Sequence, residues 1–363
     1  MRIAFLGDGS LNHVKRWTGY FHDQGHEVLL MSFEGVAGCP FPAHRLTARL
    51  PTKFLGYSSA IGSLRTELTR FRPDMVSALY LGGYGFVAAR SGFRPLAASS
   101  LGSDLLVDYP ASIIHRLQIR YVLAKADLVI TDADELSRIA ASIGAAPEKI
   151  LKAYLGIDER VFFHSRDAAG AHPEAGGRIR IVSTRNLHPV YRVDVLVEAA
   201  PSIRNKSDAL FVICGDGPER RRLEERVREL GLTRHFVFRG RLAPGEIAEE
   251  LRAADIYVST SRSDSTSVSL LEAMACGALP VVTDLAANRE WISDGDNGLI
   301  IPVGNPSALA NAVLKAARAP QLGKAARDKN ARIITERGRW GDNMRRVERA
   351  FEQLVERHGR MET

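Results

Sequence analysis

The sequence is poor in cysteine. Its 363 residues include three, Cys39, Cys214 and Cys276, which lie far apart and lack the spacing of metal ligands. This pattern excludes a disulfide scaffold and predicts a reducing compartment. No metal site is predicted.

Long apolar runs are absent too. No stretch of 18 or more uncharged apolar residues occurs, so no membrane-spanning helix is predicted. The first residues, MRIAFLG, read as a strand rather than as a charged-then-apolar leader, which predicts no secretion signal. A content of 45% hydrophobic and 25% charged residues is typical of globular chains. The length and composition predict a cytoplasmic enzyme with two cores.

Strand and helix patterns alternate along the first half of the chain. Strands are predicted at Ile3–Leu6, Glu27–Ser32, Asp74–Leu79 and Asp127–Ile130, and helices at Asn12–Asp23, Ile113–Ala124 and Glu135–Ile143. Such alternation is typical of α/β domains with a doubly wound parallel sheet.

The most informative segment, residues 258–283, carries two acids eight positions apart, Asp264 and Glu272. An apolar strand run enters it, and a helical pattern over Val268–Cys276 follows a Ser/Thr-rich loop. Loop amides and a helix N-terminus form an anion site, because the helix dipole favours a phosphate there. Carboxylates beside such a site suit a ligand with both a diphosphate and hydroxyl groups, which describes a nucleotide-sugar.

A second βαβ pattern covers residues 178–217. Arg185 stands at the end of its first strand, where a guanidinium can fork two phosphate oxygens and cannot lose its charge. Arg192 is a second candidate cation; its alternative is a solvated residue at a helix start. Gly215 and Gly217 fit either a tight turn or the close approach of a ligand, and the sequence leaves both open.

These two segments resemble the acidic-x7-Glu signature and the donor domain of glycosyltransferase family 4, retaining enzymes of the GT-B fold. The resemblance implies that Glu272 holds the ribose hydroxyls, that Asp264 touches the donor sugar and that Arg185 contacts the diphosphate. It also implies donor contacts from Arg192, Gly215, Gly217, Arg239, Gly240, Thr266, Ser267, Val268 and Ser269. The chain departs from the family in having Asp264 where Glu is usual and Ser265-Thr266-Ser267 where Gly-Phe-Gly is usual.

The implied architecture is α/β GT-B, with two Rossmann-like doubly wound domains facing a central cleft. We predict an acceptor-side domain over 1–164, a polar, Gly/Ala-rich linker over 165–177 and a donor domain over 178–339. The last helix, 340–363, is expected to cross back to the first domain; the alternative is a helix packed on the second domain alone.

In the first domain the loop after the first strand is the expected ligand face. By resemblance, Gly9 and Ser10 face the donor, while Asn12, His13 and Asp104 face the acceptor. His13 fits a helix cap equally well, and Asp104 fits a turn-forming role. A dinucleotide fingerprint fails here, because Asn12 stands where its third glycine is required.

Residues 41–72 carry six Lys or Arg side chains against the single acid Glu67, interleaved with apolar residues. Such a surface predicts peripheral contact with an anionic membrane, which fits a lipid-linked acceptor. A solvated helix face over an ordinary buried stripe is the alternative. Nucleic acid is not a predicted partner, because no recognition motif accompanies the net charge of +7.

The sequence therefore predicts a retaining glycosyltransferase with Arg185, Asp264, Glu272 and His13 as catalytic residues. It is expected to move a sugar from a UDP-sugar, or next a GDP-sugar, to a glycan or lipid-linked acceptor in cell-surface polysaccharide or glycolipid synthesis. No cofactor or metal is expected. Two alternatives stay open: a GT-B sugar-nucleotide epimerase and a non-catalytic nucleotide-sugar-binding protein.

Overall fold

The computed structural model describes residues 1–36, 38–47, 57, 59–164 and 178–362. The chain divides into two compact units. The first comprises residues 1–154 together with 343–363, and the second comprises 155–342. The second unit thus begins before the predicted linker 165–177, which lies outside the described residues.

Parallel strands alternate with helices in the first unit. Its strands are β1 (Arg2–Leu6), β2 (Glu27–Ser32), β3 (Ala43–Arg45), β4 (Met75–Leu79), β5 (Leu96–Ser100), β6 (Leu128–Thr131) and β7 (Ile150–Lys152). Its helices are α1 (Asn12–Asp23), α2 (Ile61–Phe71), α3 (Gly83–Ser91), α4 (Ile113–Lys125) and α5 (Asp134–Ser142). A π-helical turn (Asp104–Asp108) and a short helix (Tyr109–Ala111) precede α4, and a 3₁₀ turn (Pro147–Lys149) precedes β7.

The described strands of this unit form one sheet in the order β3-β2-β1-β4-β5-β6-β7, and every pair is parallel. β4 and β5 are buried along their whole length, as strands covered on both faces should be. The strands β2 and β3 follow β1 on one side of the sheet, and the strands β5 to β7 follow β4 on the other side. The direction of winding therefore reverses between β1 and β4. The carboxyl ends of these two strands therefore flank the position where doubly wound sheets bind ligands.

The second unit repeats the pattern. Its strands are β8 (Ile179–Ser183), β9 (Ala209–Ile213), β10 (Phe236–Phe238), β11 (Ile256–Ser259), β12 (Leu279–Thr283) and β13 (Leu299–Ile301). Its helices are α6 (Val193–Arg204), α7 (Arg220–Glu229), α8 (Pro244–Arg252), α9 (Val268–Cys276), α10 (Ala286–Arg289), α11 (Pro306–Arg318) and α12 (Pro320–Ile333). It also contains 3₁₀ turns at Pro189–Tyr191 and Thr233–His235 and a π-helical turn at Ile334–Gly338.

Its described strands form a parallel sheet in the order β10-β9-β8-β11-β12-β13. A continuous apolar core lies between this sheet and the helices, with Phe211, Val258 and Val281 fully buried. Here the direction of winding reverses between β8 and β11, so the carboxyl ends of these strands flank the second expected ligand position.

The chain enters and leaves the second unit along paired segments. Ile157 donates its amide to the Gly338 carbonyl at 2.8 Å, and Trp340 donates to the Ile157 carbonyl at 2.9 Å. Gly156 adopts φ +60°, and a Cβ atom there would lie 2.7 Å from the Gly338 oxygen. A side chain at position 156 would therefore push the two segments apart.

The last helix, α13 (Trp340–Glu362), packs within the first unit from Asn343 onward. The ring of Phe351 stacks on Phe21 with centroids 5.2 Å apart. Glu348 accepts a hydrogen bond from the Tyr20 hydroxyl at 2.8 Å and lies 2.8 Å from His26 Nε2. Within the described parts of the chain, this and every other helix is too short or too polar to cross a bilayer.

Candidate functional site

The candidate site of the second unit lies at the carboxyl ends of β8 and β11. Arg185 comes two residues after β8, and Asp264 lies in the loop that joins β11 to α9. These adjacent strands flank the reversal of winding in the sheet. The fold therefore brings together two side chains that are 79 positions apart in sequence.

The Arg185 guanidinium is the centre of this site. Its Nη2 donates to the Asp264 carboxylate at 2.7 Å, and its Nη1 donates to the hydroxyls of Ser267 at 2.7 Å and Ser269 at 2.9 Å. The ring of Tyr191 lies beneath it, 4.0 Å from the guanidinium carbon. Arg185 is 8% exposed, so these contacts hold its planar group in one orientation.

Burial and charge act in opposite directions on the Arg185–Asp264 pair. Burial raises the pKa of the Asp264 carboxyl above its ordinary value, and the neighbouring guanidinium opposes that shift. Burial disfavours the charged form of Arg185, but the charge and hydrogen bond of Asp264 together with the neighbouring Tyr257 and Tyr191 raise the arginine pKa. The guanidinium thus helps the Asp264 carboxyl to ionise, whereas Arg185 keeps its charge.

The N-terminus of α9 lies beside Arg185. Ser267 is the N-cap and accepts the Leu270 amide at 3.4 Å, and Gly277 ends the helix with φ +89°. The first amides of a helix, here those of Val268 and Ser269, have no acceptor within the helix. Glu272 follows Val268 by one turn and is half-buried. The predicted donor residues 266–269 and Glu272 therefore lie together at the helix start.

The glycines after β9 permit the loop that carries Arg185 to pack closely. A Cβ atom at Gly215 would lie 2.4 Å from the Arg185 carbonyl oxygen, and one at Gly217 would lie 2.4 Å from that of Leu187. Leu187 donates its amide to the Asp216 carbonyl at 3.0 Å. Backbone packing alone thus requires both glycines, and their predicted contact with a donor stays a prediction.

Arg192 lies at the edge of the same site. It adopts φ +47° as the residue before α6, and its Nε donates to Asp194 at 3.0 Å. Its carbonyl accepts the Thr260 hydroxyl at 2.7 Å, which ties the loop after β8 to the loop after β11. About a third of the Arg192 side chain is exposed, so it is more accessible than Arg185.

Arg239 and Gly240 follow β10, two strands away from β8. Arg239 Nε lies 3.0 Å from the buried carboxylate of Glu250, which also binds the Arg180 guanidinium. Gly240 adopts φ +70°, a conformation that favours glycine. Arg239 therefore braces the end of β10, and its contact with the nucleotide base stays a prediction.

In the first unit, Gly9 and Ser10 form a tight turn after β1. Gly9 donates its amide to the Ser32 hydroxyl at 3.1 Å, and a Cβ atom there would lie 2.6 Å from the Gly35 carbonyl. Both the amide and the hydroxyl of Ser10 bond to the Asp8 carboxylate. This turn sets the start of α1.

Asn12 and His13 are exposed at that helix start. The N-cap position belongs to Leu11, whose side chain makes no capping bond. Although the His13 side chain is exposed, nearby protein atoms partly desolvate its ring, which lowers its pKa below 6.5, while the charge of Asp8 opposes the shift. His13 is therefore a neutral imidazole near pH 7 at the expected ligand face.

Asp104 is fully buried at the end of β5. It accepts hydrogen bonds from the Ser100 hydroxyl at 2.6 Å, the Leu105 amide at 2.9 Å and the Leu81 amide at 3.0 Å. Burial raises the pKa of its carboxyl. These bonds tie the loop after β4 to the loop after β5, whereas a direct bond to an acceptor would require the carboxylate to leave them.

Three tyrosines that the sequence does not identify as site residues lie in or near these sites. Tyr80 follows β4 with φ +132°, a strained conformation for a residue with a Cβ atom, and its hydroxyl donates to Asp108. Tyr191 lies under Arg185, and buried Tyr257 shares a 2.8 Å hydrogen bond with Ser269. Tyr80 and Tyr257 stand in apolar strand contexts that predict ordinary core residues, so only the fold reveals their roles.

The basic stretch 41–72 is described in part, since 48–56 and 58 lie outside the described residues. Phe41, Leu46 and Leu64 are buried in the first unit. Arg65 bonds to the carbonyls of Ser91 and Arg90. These three apolar side chains therefore belong to the core, as the buried-stripe interpretation expects, whereas Ile61 and Phe71 are half-buried.

Two family models match different parts of the chain. Residues 2–133 match the family described as glycosyl transferase 4-like, and residues 165–334 match the glycosyl transferases group 1. The chain belongs to glycosyltransferase family 4. The predicted family assignment is thus confirmed, and each profile covers most of the described sheet of one unit.

Two curated relatives of this family-4 chain come from bacteria. N-acetyl-alpha-D-glucosaminyl L-malate synthase of Bacillus anthracis is 28% identical over 224 residues, which are 61% of this chain and 58% of the relative. The 2-deoxystreptamine N-acetyl-D-glucosaminyltransferase of Streptomyces fradiae is 31% identical over 265 residues, 67% of this chain and 62% of the relative. The matches therefore span less than two thirds of either relative's length.

Solved structures confirm the predicted fold. Anabaena HepE in complex with UDP superimposes with a TM-score of 0.83 at 19% identity, covering 98% of this chain and 100% of that one. The same protein with UDP-glucose gives a TM-score of 0.82. With its two parallel-sheet units, the family-4 chain has the GT-B fold.

Proposed function

We propose that this chain is a retaining glycosyltransferase that moves a sugar from a UDP-sugar to a glycan or lipid-linked acceptor. The observation that carries the proposal is the cluster of Arg185, Asp264 and the α9 N-terminus at the sheet's reversal of winding. Membership of family 4, a relative named as an N-acetyl-D-glucosaminyltransferase and a structural neighbour crystallised with UDP and with UDP-glucose support it.

The donor diphosphate binds at Arg185 and the first amides of α9. The guanidinium and the helix dipole supply positive charge where the leaving group gains negative charge. Two buried donors, Arg185 Nε and Thr184 Oγ1, have no hydrogen-bond acceptor among the described residues. A buried donor without an acceptor is costly, so phosphate oxygens would relieve an existing penalty.

Donor binding exchanges one anion for another. Arg185 Nη2 donates to the Asp264 carboxylate at 2.7 Å. A diphosphate carries more charge than one carboxylate and takes over this cation. Asp264, released from the guanidinium, then accepts a hydrogen bond from a hydroxyl of the donor sugar, and Glu272 binds the ribose hydroxyls.

The transfer step needs no enzyme nucleophile. The bond between the anomeric carbon and the phosphate oxygen breaks, and the acceptor oxygen forms a bond to that carbon on the same face. The acceptor proton passes to the departing phosphate oxygen, which keeps atoms and charge in balance. Arg185, Arg192 and the helix amides stabilise the leaving diphosphate, so the reaction is proposed to run without a bound metal ion.

The first unit holds the acceptor near the loops after β1 and β4. Asp8, Ser10 and His13 offer hydrogen-bonding groups there. A neutral imidazole both donates and accepts, which suits the hydroxyl of a sugar or polyol. The described site therefore separates an anion-binding unit from a unit suited to an uncharged, hydroxyl-rich partner.

The test is a donor screen with the purified chain. UDP- and GDP-sugars are incubated with and without candidate glycan acceptors, and free nucleotide and product anomer are measured. We expect acceptor-dependent release of UDP and a product with the donor's anomeric configuration. A larger thermal shift with GDP would reverse the base assignment. Release of nucleotide with a change of sugar configuration and no acceptor would indicate an epimerase, and binding without release a non-catalytic protein.

Metal independence has its own assay. Activity in EDTA should equal activity in Mg²⁺ or Mn²⁺, because guanidinium groups and helix amides carry the phosphate charge. A strong loss in EDTA that added Mn²⁺ restores would contradict this part of the proposal.

A further inference from the structure

A buried ion network ends at Arg239, the residue that follows β10. Glu250 on α8 binds the Arg180 guanidinium, and its carboxylate also lies 3.0 Å from Arg239 Nε. The side chains of Arg180 and Glu250 are 1% and 8% exposed, whereas that of Arg239 is 30% exposed. The network therefore runs from the core of the second unit to its surface, and Arg239 is its accessible end.

The two buried members of the network lie on regular elements. Arg180 is the second residue of β8, where its amide donates to the Asp255 carboxylate at 2.8 Å and its carbonyl accepts the Asp255 amide at 3.0 Å. Glu250 lies within α8, two residues before the end of that helix. A carboxylate on a rigid element can fix the orientation of an arginine that lies at the end of a strand.

The network holds more positive than negative charge. Two guanidinium groups share the carboxylate of Glu250. Burial, together with the charge of Glu250, raises the pKa of the nearby Cys214 thiol to about 12, while Arg180 and Arg239 oppose the shift. The thiol therefore stays protonated near pH 7 and supplies no second anion. A group that offers a hydrogen-bond acceptor to Arg239 would thus meet an excess of positive charge.

Stability alone does not require this network. A buried ion pair carries a desolvation penalty, and apolar residues of similar volume are often equally or more stabilising in its place. Two further donors, Arg180 Nε and Nη1, have no hydrogen-bond acceptor among the described residues, which adds to that penalty. What the structure shows in return is a fixed position for Arg239.

Arg239 and Arg185 stand at the same edge of the second sheet. Arg185 follows β8 and Arg239 follows β10, with β9 between these strands. Neighbouring strands are about 4.8 Å apart, so the two strand ends are separated by roughly 10 Å. A ribose separates the base of a nucleotide from its diphosphate. A nucleotide whose diphosphate lies at Arg185 can therefore place its base at Arg239.

A guanidinium can discriminate between bases because it donates hydrogen bonds and accepts none. Uracil and guanine present a ring carbonyl oxygen as an acceptor, whereas adenine presents an amino donor at the equivalent position. A fixed Arg239 therefore favours the carbonyl and opposes the amino group. An arginine without its brace could turn away from the amino group, so the discrimination depends on Glu250.

We propose that Glu250, itself held by Arg180, is a positioning residue that holds Arg239 against the ring carbonyl of the donor's base. Through Arg239, the buried pair selects a uracil or guanine nucleotide over an adenine nucleotide. This inference rests on the proposed function, since it needs a nucleotide at the strand ends of the second unit. It goes beyond that function by assigning base selection to two residues that do not touch the base.

The experiment is calorimetric titration of the full chain with UDP, GDP and ADP. The wild type should bind UDP or GDP about tenfold more tightly than ADP. In Arg180→Met/Glu250→Leu, apolar side chains of similar size replace the buried pair, so the unfolding temperature should be kept or raised. This variant should bind the favoured nucleotide about tenfold more weakly and ADP as before, so that the preference disappears.

Arg239→Leu completes a double-mutant cycle, and it leaves Glu250 paired with Arg180. If the buried pair acts through Arg239, this variant and the triple variant should each match the loss in Arg180→Met/Glu250→Leu to within about twofold. The matched control Arg226→Met/Glu198→Leu removes an exposed ion pair of the same unit and should keep the full preference for UDP or GDP over ADP.

The outcomes separate this inference from the proposed function. If the wild type binds UDP but the preference survives in Arg180→Met/Glu250→Leu, or if the losses multiply in the triple variant, this inference alone is overturned. Equal weakening of UDP and ADP binding would assign the buried pair to folding and would also overturn it. A wild-type chain that binds none of the three nucleotides would overturn both the inference and the proposed function.

Discussion

The two units use the same place in the same kind of sheet with different chemistry. At the strand ends of the second unit, carboxylates face arginines: Asp264 pairs with Arg185 and Asp194 with Arg192. Beyond the carboxyl ends of β4 and β5 in the first unit, two carboxylates face neutral donors. Asp104 accepts from a hydroxyl and two amides, and Asp108 accepts from a tyrosine hydroxyl.

This difference in partners determines which class of ligand the carboxyl edge of each sheet can bind. An arginine paired with a carboxylate can exchange that partner for a phosphate, because the ligand replaces one anion with another. A carboxylate held by hydroxyls and amides gains nothing from a second anion, but it orients neutral hydrogen-bonding groups. The second edge thus suits a diphosphate and the first a polyhydroxyl acceptor. Each prediction below alters one side of this contrast.

The largest effect is expected at Arg185. Arg185→Ala removes the cation that meets the developing diphosphate charge, so kcat should fall by about 10²–10³-fold. Because the change strands Asp264 without its partner, Arg185→Ala/Asp264→Asn should be measured beside it, with thermal unfolding of both. A folded double variant that transfers sugar at the wild-type rate would remove Arg185 from the reaction.

Asp264→Asn should separate nucleotide binding from transfer. The amide keeps the shape but no longer competes with phosphate for Arg185, so UDP should bind as tightly as before or a few-fold tighter. Transfer should fall by about tenfold or more, since a charged acceptor of the sugar's hydrogen bond is lost. Asp284→Asn, which breaks a surface pair with Arg289, is the control and should change neither quantity. Unchanged turnover in Asp264→Asn would show that Asp264 does not touch the donor sugar.

Glu272→Gln should weaken donor binding with less effect on chemistry. Losing charged hydrogen bonds to the ribose costs roughly 1.5–3 kcal/mol, which is about 10–100-fold in the Kd of UDP. Glu198→Gln removes a surface carboxylate that pairs with Arg226 and should leave that Kd unchanged. Calorimetric titration gives both values, and equal affinities would take Glu272 out of the nucleotide site.

On the first unit, Tyr80→Phe should raise the acceptor KM about fivefold, because it removes one hydrogen bond worth about 1 kcal/mol from the loop after β4. Its affinity for UDP should not change. Tyr20→Phe removes a comparable hydroxyl that donates to Glu348 at 2.8 Å, away from the strand ends. That control should alter thermal stability alone. A matching rise in the acceptor KM of Tyr20→Phe would show that Tyr80 contributes only to folding and not to acceptor binding.

Several of the strands and helices that form the two units could be predicted from the sequence, because local patterns determine such elements. Helix α1, strand β2 and helix α9 begin and end at the predicted residues. Periodic apolar faces and stop signals such as Gly277 make the bounds of such elements predictable. The sequence does not predict the bounds of helices α2 and α3, since their apolar residues are mixed with glycine and charge.

The sequence does not predict which side chains pair across the sheet. Arg185, Asp264 and the serines of α9 were each singled out, but their mutual hydrogen bonds depend on β8 and β11 becoming neighbours. The role of Gly215 depends on the approach of the Arg185 carbonyl, and the strain at Tyr80 depends on backbone angles. No spacing along a chain reports such distances.

The smallest effect is expected from His13 and is visible only against pH. Its folded pKa lies below 6.5, so the imidazole is neutral at pH 7 and protonates at a lower pH than an unfolded chain does. As pH falls below 6.5, protonation favours the unfolded form, and stability from this group is lost toward acid. If the neutral ring contacts the acceptor, kcat/KM for acceptor should be flat above pH 6.5 and fall severalfold below it. His13→Gln should remove this acid limb, whereas His22→Gln on the same helix should retain it. An acid limb that survives in His13→Gln would place the titrating group elsewhere and leave His13 as a residue that packs near the start of α1.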